Sequence, residues 1–328
     1  MPTTTPKQKV EQVEMFGADW ISVVLEGDMF DDAFSAAKVY AEQGRSTKAK
    51  QVCKQENKTF IHPFDDEKII ERQTTVRLEM VTQATKPLDY VFVPVGGGGL
   101  IAGLASVFKY LSPKTKIIGV EPGGAPAMQK SLALEKNVTL PEIDKFVDGA
   151  AVQRVGELIF AIVQQLVHQI ATVSEDKICQ TILDLYNRDA IVVEPAGALT
   201  LAVFDQFAEE IRGKNIACVV SGSNNDITRT AEITERALLH RGLKHYFIIK
   251  FPQRAGALKE FVAHILGPDD DITYFEYSKK TSREQAPAIV GILLKDAAHL
   301  QPLVNRMHER KFFGEYLNDK QELFELLV

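Results

Sequence analysis

The chain has 328 residues, 45% of them hydrophobic and 25% charged, with a formal net charge of -6, which is ordinary globular composition and length enough for about two domains. The acidic balance and the scatter of Lys and Arg along the chain exclude a polyanion-binding stripe, so no nucleic-acid partner is expected. No apolar run nears the roughly 18 residues that span a bilayer and no basic-then-apolar leader opens the chain, so a cytoplasmic protein without a membrane partner is expected.

From residue 15 to about 240, short β-branched runs alternate with longer amphipathic stretches, the pattern of βα units around a parallel sheet. A first strand is predicted at 20–25, followed by a helix capped by Asp28 or Asp31 and burying Ala33, Ala36, Ala37, Val39 and Tyr40. Further strands are predicted at 59–61, 90–95, 116–120, 191–193 and 216–220, several apolar nearly throughout, as strands covered on both faces should be. Cys53, Cys179 and Cys218 are widely spaced and read as reduced core thiols. A helix ending near His240 is closed by Arg241 and Gly242, which places a domain boundary near 243. Beyond it a strand at 246–251, a helix at 257–266, strands at 272–277 and 288–294 and a helix at 300–310 give a ferredoxin-like order.

The strongest local signal is the strand at 90–95 followed by Gly96, Gly97, Gly98, Gly99 and Leu100 and then a helical run. Glycines between a strand and a helix let backbone N–H groups converge where the helix dipole is positive, which makes a phosphate cradle. Gly97, Gly99 and Ala102 also satisfy a dinucleotide fingerprint, with Glu121 placed as a ribose-binding acid, so on these residues a nicotinamide cofactor stays open. Two more loops, 193–198 with Glu194 and 219–225 with Ser221, each follow a predicted strand and precede a helix. Singly, Glu194 reads as a helix N-terminal charge and Ser221 as a turn residue. All three loops open at the carboxyl edge of the sheet and converge on one crevice.

The ordered set Met1-Pro-Thr-Thr-Thr-Pro-Lys-Gln-Lys9, Gly27-Asp-Met-Phe-Asp31, His62-Pro-Phe-Asp-Asp66, the glycine loop, Gly119-Val-Glu-Pro122, Asp148-Gly-Ala-Ala-Val152, Glu194-Pro-Ala-Gly-Ala198 and the Ser221 loop closely resembles the biosynthetic threonine dehydratases of the fold-type-II pyridoxal-phosphate enzymes. The resemblance implies a three-layer α/β domain of the tryptophan synthase β kind over residues 1–242 and one ACT-like regulatory domain over 243–328, opening at Phe251-Pro-Gln-Arg-Ala-Gly-Ala-Leu258. It implies pyridoxal 5'-phosphate as cofactor, held at its phosphate by Gly96, Gly97, Gly98, Gly99 and Leu100, with Ser221 facing the pyridine nitrogen and Glu194 as a further cofactor-binding residue. A hydroxyl does not enforce ring protonation as a carboxylate would, so the electron sink is mild, adequate for losing an α-proton and a β-hydroxyl. L-Threonine, with L-serine as a second candidate, would give its 2-oxo acid and ammonia in the first step toward isoleucine. A homo-oligomer and isoleucine as allosteric inhibitor are the other implied partners.

Relatives carry a Schiff-base lysine in a Ser-Phe-Lys-x-Arg-Gly context, and a Ser-x-Gly-Asn-His loop, ahead of the position matching Met1. Neither occurs in this sequence, and Lys7 and Lys9 match a polar helix start, so no catalytic residue is identified and an N-terminally truncated chain of impaired activity is expected. A non-catalytic amino-acid-binding remnant is the alternative, and an NAD-dependent oxidoreductase the lesser one. Arg72-Gln73-Thr74-Thr75 stands where the family has a glycine-rich turn, and Ser223 replaces a glycine expected to need positive φ. Some relatives bind a cation through the position of Glu121 and an acid that here is Ala127, so no metal is expected.

Overall fold

The run Tyr90–Pro94 is buried over its first four residues and forms β1, the centre of a parallel sheet, because an apolar strand with no polar face must be covered on both sides. The computed structural model describes residues 1–5, 7–28, 32–36, 62–278 and 285–328. Within it the chain divides into two units, Met1–Thr230 and Ala231–Val328, each with a core of its own. The division falls ahead of residue 243 because the helix Thr230–His240 is tied to the strand after it: Glu235 accepts from the Tyr246 hydroxyl at 2.7 Å and pairs with Lys244.

In the first unit β2 (Lys116–Pro122), β3 (Gln169–Val173) and β4 (Ile216–Cys218) complete a parallel sheet ordered β3-β2-β1-β4. The chain runs outward from β1 through β2 to β3, then returns to place β4 on the other side of β1. That reversal is a topological switch point, and it opens a crevice beyond the carboxyl ends of β1 and β4. The helix Gly99–Leu111 packs on the sheet through Ile101, Leu104 and Phe108, and Glu67–Gln83 covers that helix in turn.

Two expected strands are corrected. Among the described residues, 21–26 pair with no strand: Thr3 and Glu26 make isolated backbone bonds with Gly27 and Met1, and Trp20, 94% exposed, ends a short 3-10 turn. Residues 191–193 form no strand, because Ile191 N–H donates to Leu185 at a helix end and Glu194 N–H to Gly222. Conversely, β3 was not predicted. Of the expected helix after Asp28, 32–36 is helical, whereas Asp31, Ala37, Val39 and Tyr40 lie outside the described residues, as do Cys53 and the strand expected at 59–61. Cys179 is buried and Cys218 half-buried.

The second unit is a mixed α+β layer. Its strands β5 (Lys244–Pro252), β6 (Asp271–Tyr277), β7 (Gln285–Leu293) and β8 (Phe313–Tyr316) form an antiparallel sheet ordered β6-β7-β5-β8, with the helices Ala257–His264 and Leu300–Glu309 as crossovers. β8 completes the β-α-β-β-α-β order of the ferredoxin-like fold, and Phe247, Phe251, Phe261, Phe312 and Met307 fill its core.

Candidate functional site

The crevice at the switch point is a cavity of about 270 Å³. Its walls include Gly96, Gly97, Gly98, Gly99 and Leu100 after β1, Glu194 and Ala196 before and within the helix Pro195–Ala202, and Ser221 beyond β4. Loops that are far apart in sequence therefore meet at one sheet edge, with Gly149 and Ala150 closing another side.

Its local geometry follows from small residues. Gly98 has φ of +91° and is the cap of the helix Gly99–Leu111, and a Cβ there would lie 2.6 Å from Ile159 Cγ2. A Cβ on Gly97 would lie 2.4 Å from the ring of Phe64, so the aromatic ring packs directly on the loop backbone. Among the described residues, none of the N–H groups from Gly97 to Leu100 donates a hydrogen bond. A fan of open donors at a helix N-terminus fits an anionic group such as the phosphate of pyridoxal phosphate. The helix Pro195–Ala202 approaches the Ser221 loop so closely that a Cβ on Gly197 would lie 1.9 Å from Ser221 O. Positive φ falls on Gly222, at +68°, whereas Ser223 is not among the left-handed residues, which corrects the expectation for that serine.

Glu194 enters this crevice with its carboxyl group half-buried between two glycines: a Cβ on Gly149 would lie 3.1 Å from Oε1, and one on Gly222 2.1 Å from it. Burial raises its pKa above the ordinary carboxylate value, with Asp148 adding to the rise, while Lys9 and the Asn224 N–H oppose it. Glu121 lies elsewhere. It is 1% exposed and accepts from the N–H groups of Met128 at 2.7 Å and Gln129 at 2.8 Å, so its carboxyl group is spent on the start of the helix Ala127–Ala133. The ribose-binding role considered for it is corrected on that ground.

Sequence reasoning missed several residues that shape the site. His62 Nδ1 accepts from Phe64 N–H at 3.2 Å and Asp65 N–H at 2.7 Å, a turn that sets Phe64 on the glycine loop. Asp65 accepts from Glu157 N–H at 3.0 Å and Ile159 N–H at 3.3 Å, while Asp66 caps the helix Glu67–Gln83. Lys9, read as part of a polar helix start, lies 3.5 Å from Asp148. The Asp-Asp doublet after a Pro-Phe pair was a visible capping signal, but nothing near Lys9 in sequence marks it. Arg72 to Thr75 are interior positions of the helix Glu67–Gln83, where bulk is accommodated without a turn.

A family model of pyridoxal-phosphate-dependent enzymes matches residues 1–222, and a model of the C-terminal regulatory domain of threonine dehydratase matches residues 235–327. The chain is 51% identical to the biosynthetic L-threonine dehydratase of Halalkalibacterium halodurans over all 328 residues, which cover 76% of that protein. It is 47% identical to the biosynthetic L-threonine dehydratase of Bacillus subtilis, covering 75% of it. Among solved structures it resembles the processed form of threonine deaminase isoform 2 from Solanum lycopersicum, at a TM-score of 0.62 and 39% identity over 73% of this chain and 62% of that one.

Proposed function

The chain belongs to the biosynthetic threonine dehydratases, a pyridoxal-phosphate-dependent lyase family, and on that premise we propose that its crevice binds pyridoxal phosphate for the conversion of L-threonine to 2-oxobutanoate and ammonia, with L-serine as a second substrate. The observation that carries this reading is the meeting of the glycine loop, Glu194 and Ser221 around one cavity. The open N–H groups of Gly97 to Leu100 would hold the phosphate, and the Ser221 hydroxyl would serve the ring nitrogen. When bound, the cofactor supplies an electron sink for a substrate losing its α-proton and β-hydroxyl. Phe64 excludes water from one side of the loop, and Glu194 presents a carboxyl group whose burial favours the protonated form. Among the described residues no lysine lines the cavity, so these residues bind and orient and do not supply an amine.

A nicotinamide cofactor is disfavoured by the engagement of Glu121 away from the crevice and by the family. The regulatory unit, a match to the threonine dehydratase regulatory domain, supports an amino-acid effector, which we assign as isoleucine. The exposed Phe16, Trp20 and Ile227 support burial of apolar surface in a homo-oligomer. Among the described residues no helix is long and apolar enough to cross a membrane, in keeping with a cytoplasmic location.

The test is titration of the chain with pyridoxal phosphate and, separately, NAD, with the Gly98→Val variant alongside. Pyridoxal phosphate is expected to bind and to be lost in the variant. Binding of NAD instead, or cofactor binding that survives Gly98→Val unchanged, overturns the assignment.

A further inference from the structure

Arg229 closes the 3-10 turn Ile227–Arg229, which Asp226 caps by accepting from Thr228 N–H at 3.0 Å, directly after the Ser221 loop. Its guanidinium group reaches residues 146–148, remote in sequence. Nη2 donates to Phe146 O at 2.8 Å, Nη1 faces Oδ1 of Asp148 at 3.6 Å, and Cζ lies 4.8 Å over the Phe146 ring. Oδ2 of Asp148 faces Lys9 Nζ at 3.5 Å. A planar fork of donors can hold a carbonyl and a carboxyl group at once while lying over a ring, which the point charge of an ammonium group cannot. The Arg229 and Asp148 side chains are 20% and 27% exposed, so these contacts are partly shielded from water.

The gripped segment leads straight into a wall of the crevice. Phe146 and Val147 are buried, and the N–H groups of Ala150 and Ala151 both donate to Val147 O at 2.8 Å, so residues 146–151 form one tight turn. Its tip, Gly149 and Ala150, lines the cavity. On one side a Cβ on Gly96 would lie 2.9 Å from Ala150 Cα and 3.2 Å from Gly149 O. On the other, a Cβ on Gly149 would lie 2.9 Å from Ala196 Cβ and 3.1 Å from Glu194 Oε1. The tip is therefore wedged between the glycine loop and the helix Pro195–Ala202, and close packing passes any displacement of residues 146–148 to both.

We propose that Arg229 is a positioning residue for the crevice: by holding Phe146 O and Asp148 together it seats the Gly149–Ala150 tip against Gly96. The segment that carries Ser221 thereby reaches round to brace the wall beside the glycine loop, and the slot between the two loops keeps its width. Without the guanidinium group, Asp148 keeps Lys9 alone and Phe146 O loses its donor, so the turn is free to swing out of its wedge. The consequence for cofactor binding rests on the proposed function; the seating of the tip does not.

The experiment is amide hydrogen exchange, read by NMR on the full chain without cofactor. In Arg229→Met the Ala150 and Ala151 amides are expected to exchange at least about tenfold faster than in the parent, while the amides of β1 hold their rates. Arg229→Lys is expected to stay closer to Arg229→Met than to the parent, because one ammonium group cannot serve both acceptors. Asp148→Asn preserves shape and removes one of the two grips; it is expected to speed the same two amides by a smaller factor, and gives its reading even where Arg229→Met does not fold. Parent rates at Ala150 and Ala151 in Arg229→Met overturn the proposal, and so does an equal rise at the tip and in β1, which marks a merely structural staple. Pyridoxal phosphate affinity, measured in the same variants, is expected to fall by about tenfold or more in Arg229→Met. Affinity that holds while the tip loosens overturns the bracing of the slot. A tip that loosens as expected in a chain whose parent binds no pyridoxal phosphate upholds the role of Arg229 and removes the cofactor reading instead.

Discussion

At the scale of single residues, absence of a side chain organises the crevice, and its presence at one buried position works against the fold. Gly197 lets the helix Pro195–Ala202 touch the Ser221 loop, since a Cβ there would overlap Ser221 O at 1.9 Å. Gly197→Ala must displace that loop, at a cost of about 1–3 kcal/mol for overpacking. Because Ser221 moves with the loop, pyridoxal phosphate affinity is expected to fall by at least about tenfold, equivalent to about 1.4 kcal/mol; a titration showing parent affinity would separate the contact from cofactor binding. Arg77 is the opposite case. It is 1% exposed, its Nε and Nη2 have no hydrogen-bond partner among the described residues, and its guanidinium lies 4.9 Å over the Phe108 ring. The ring offers a buried cation about 2 kcal/mol at best, while buried donors left unpaired cost about 1–3 kcal/mol each, more for a charged group. Arg77→Met fills similar space without those donors and is expected to raise the melting temperature of the first unit by a few degrees. A lower melting temperature would mean that the guanidinium has a partner the geometry does not reveal.

At the scale of elements, the segment from His62 to Asp66 joins two helices to the glycine loop. Asp65 caps the helix Glu157–Leu166 and Asp66 caps Glu67–Gln83, and both helices pack against Gly99–Leu111. Asp65→Ala and Asp66→Ala should each destabilise the unit by about 1 kcal/mol. Asp65→Ala is also expected to loosen Phe64 from Gly97, speeding amide exchange across the glycine loop, whereas Asp66→Ala should leave that exchange closer to the parent. Much of this was legible in the sequence where the determinant is local. The strands β1 and β2 announce themselves as continuous apolar runs, and the glycine loop and Ser221 loop by turn chemistry at strand ends. Local apolarity misled at 191–193, where Ile191 and Val192 are 44% and 51% exposed and the backbone bonds go to a helix end and Gly222. The strands β3 and β8 went unread because Gln169-Ile-Ala-Thr-Val173 and Phe313-Gly-Glu-Tyr316 are short and part polar, and pairing with a longer neighbour makes them strands. Asp65 and Lys9 act across the chain, and one sequence carries no trace of such pairings.

At the scale of the whole molecule, the two units have separate cores, and each buries one group whose titration opposes folding from a different side of neutrality. In Met1–Thr230, burial pushes the Glu121 carboxyl group up to about 8 from its ordinary 4.5, although two backbone N–H bonds pull it back. The folded unit therefore holds this proton more tightly than the unfolded chain, so the stability it contributes is complete below about pH 4.5 and is lost as pH rises through about 8. In Ala231–Val328, His245 is 2% exposed; its Nε2–H donates to Gly242 O at 2.8 Å, which leaves Nδ1 to accept from the Tyr316 hydroxyl at 2.8 Å. Burial lowers its pKa below the ordinary 6.5, so here the folded unit resists the proton, and stability present above that value is lost as pH falls through the lowered one. Calorimetry of the full chain between about pH 5 and pH 9 is therefore expected to show two melting components that move in opposite directions, the first unit's falling and the second's rising with pH. Glu121→Gln should flatten the falling component, and His245→Gln the rising one, each leaving the other's slope intact. A single transition that shifts one way, and that neither substitution flattens, would show that these two buried groups do not set the pH response of their units.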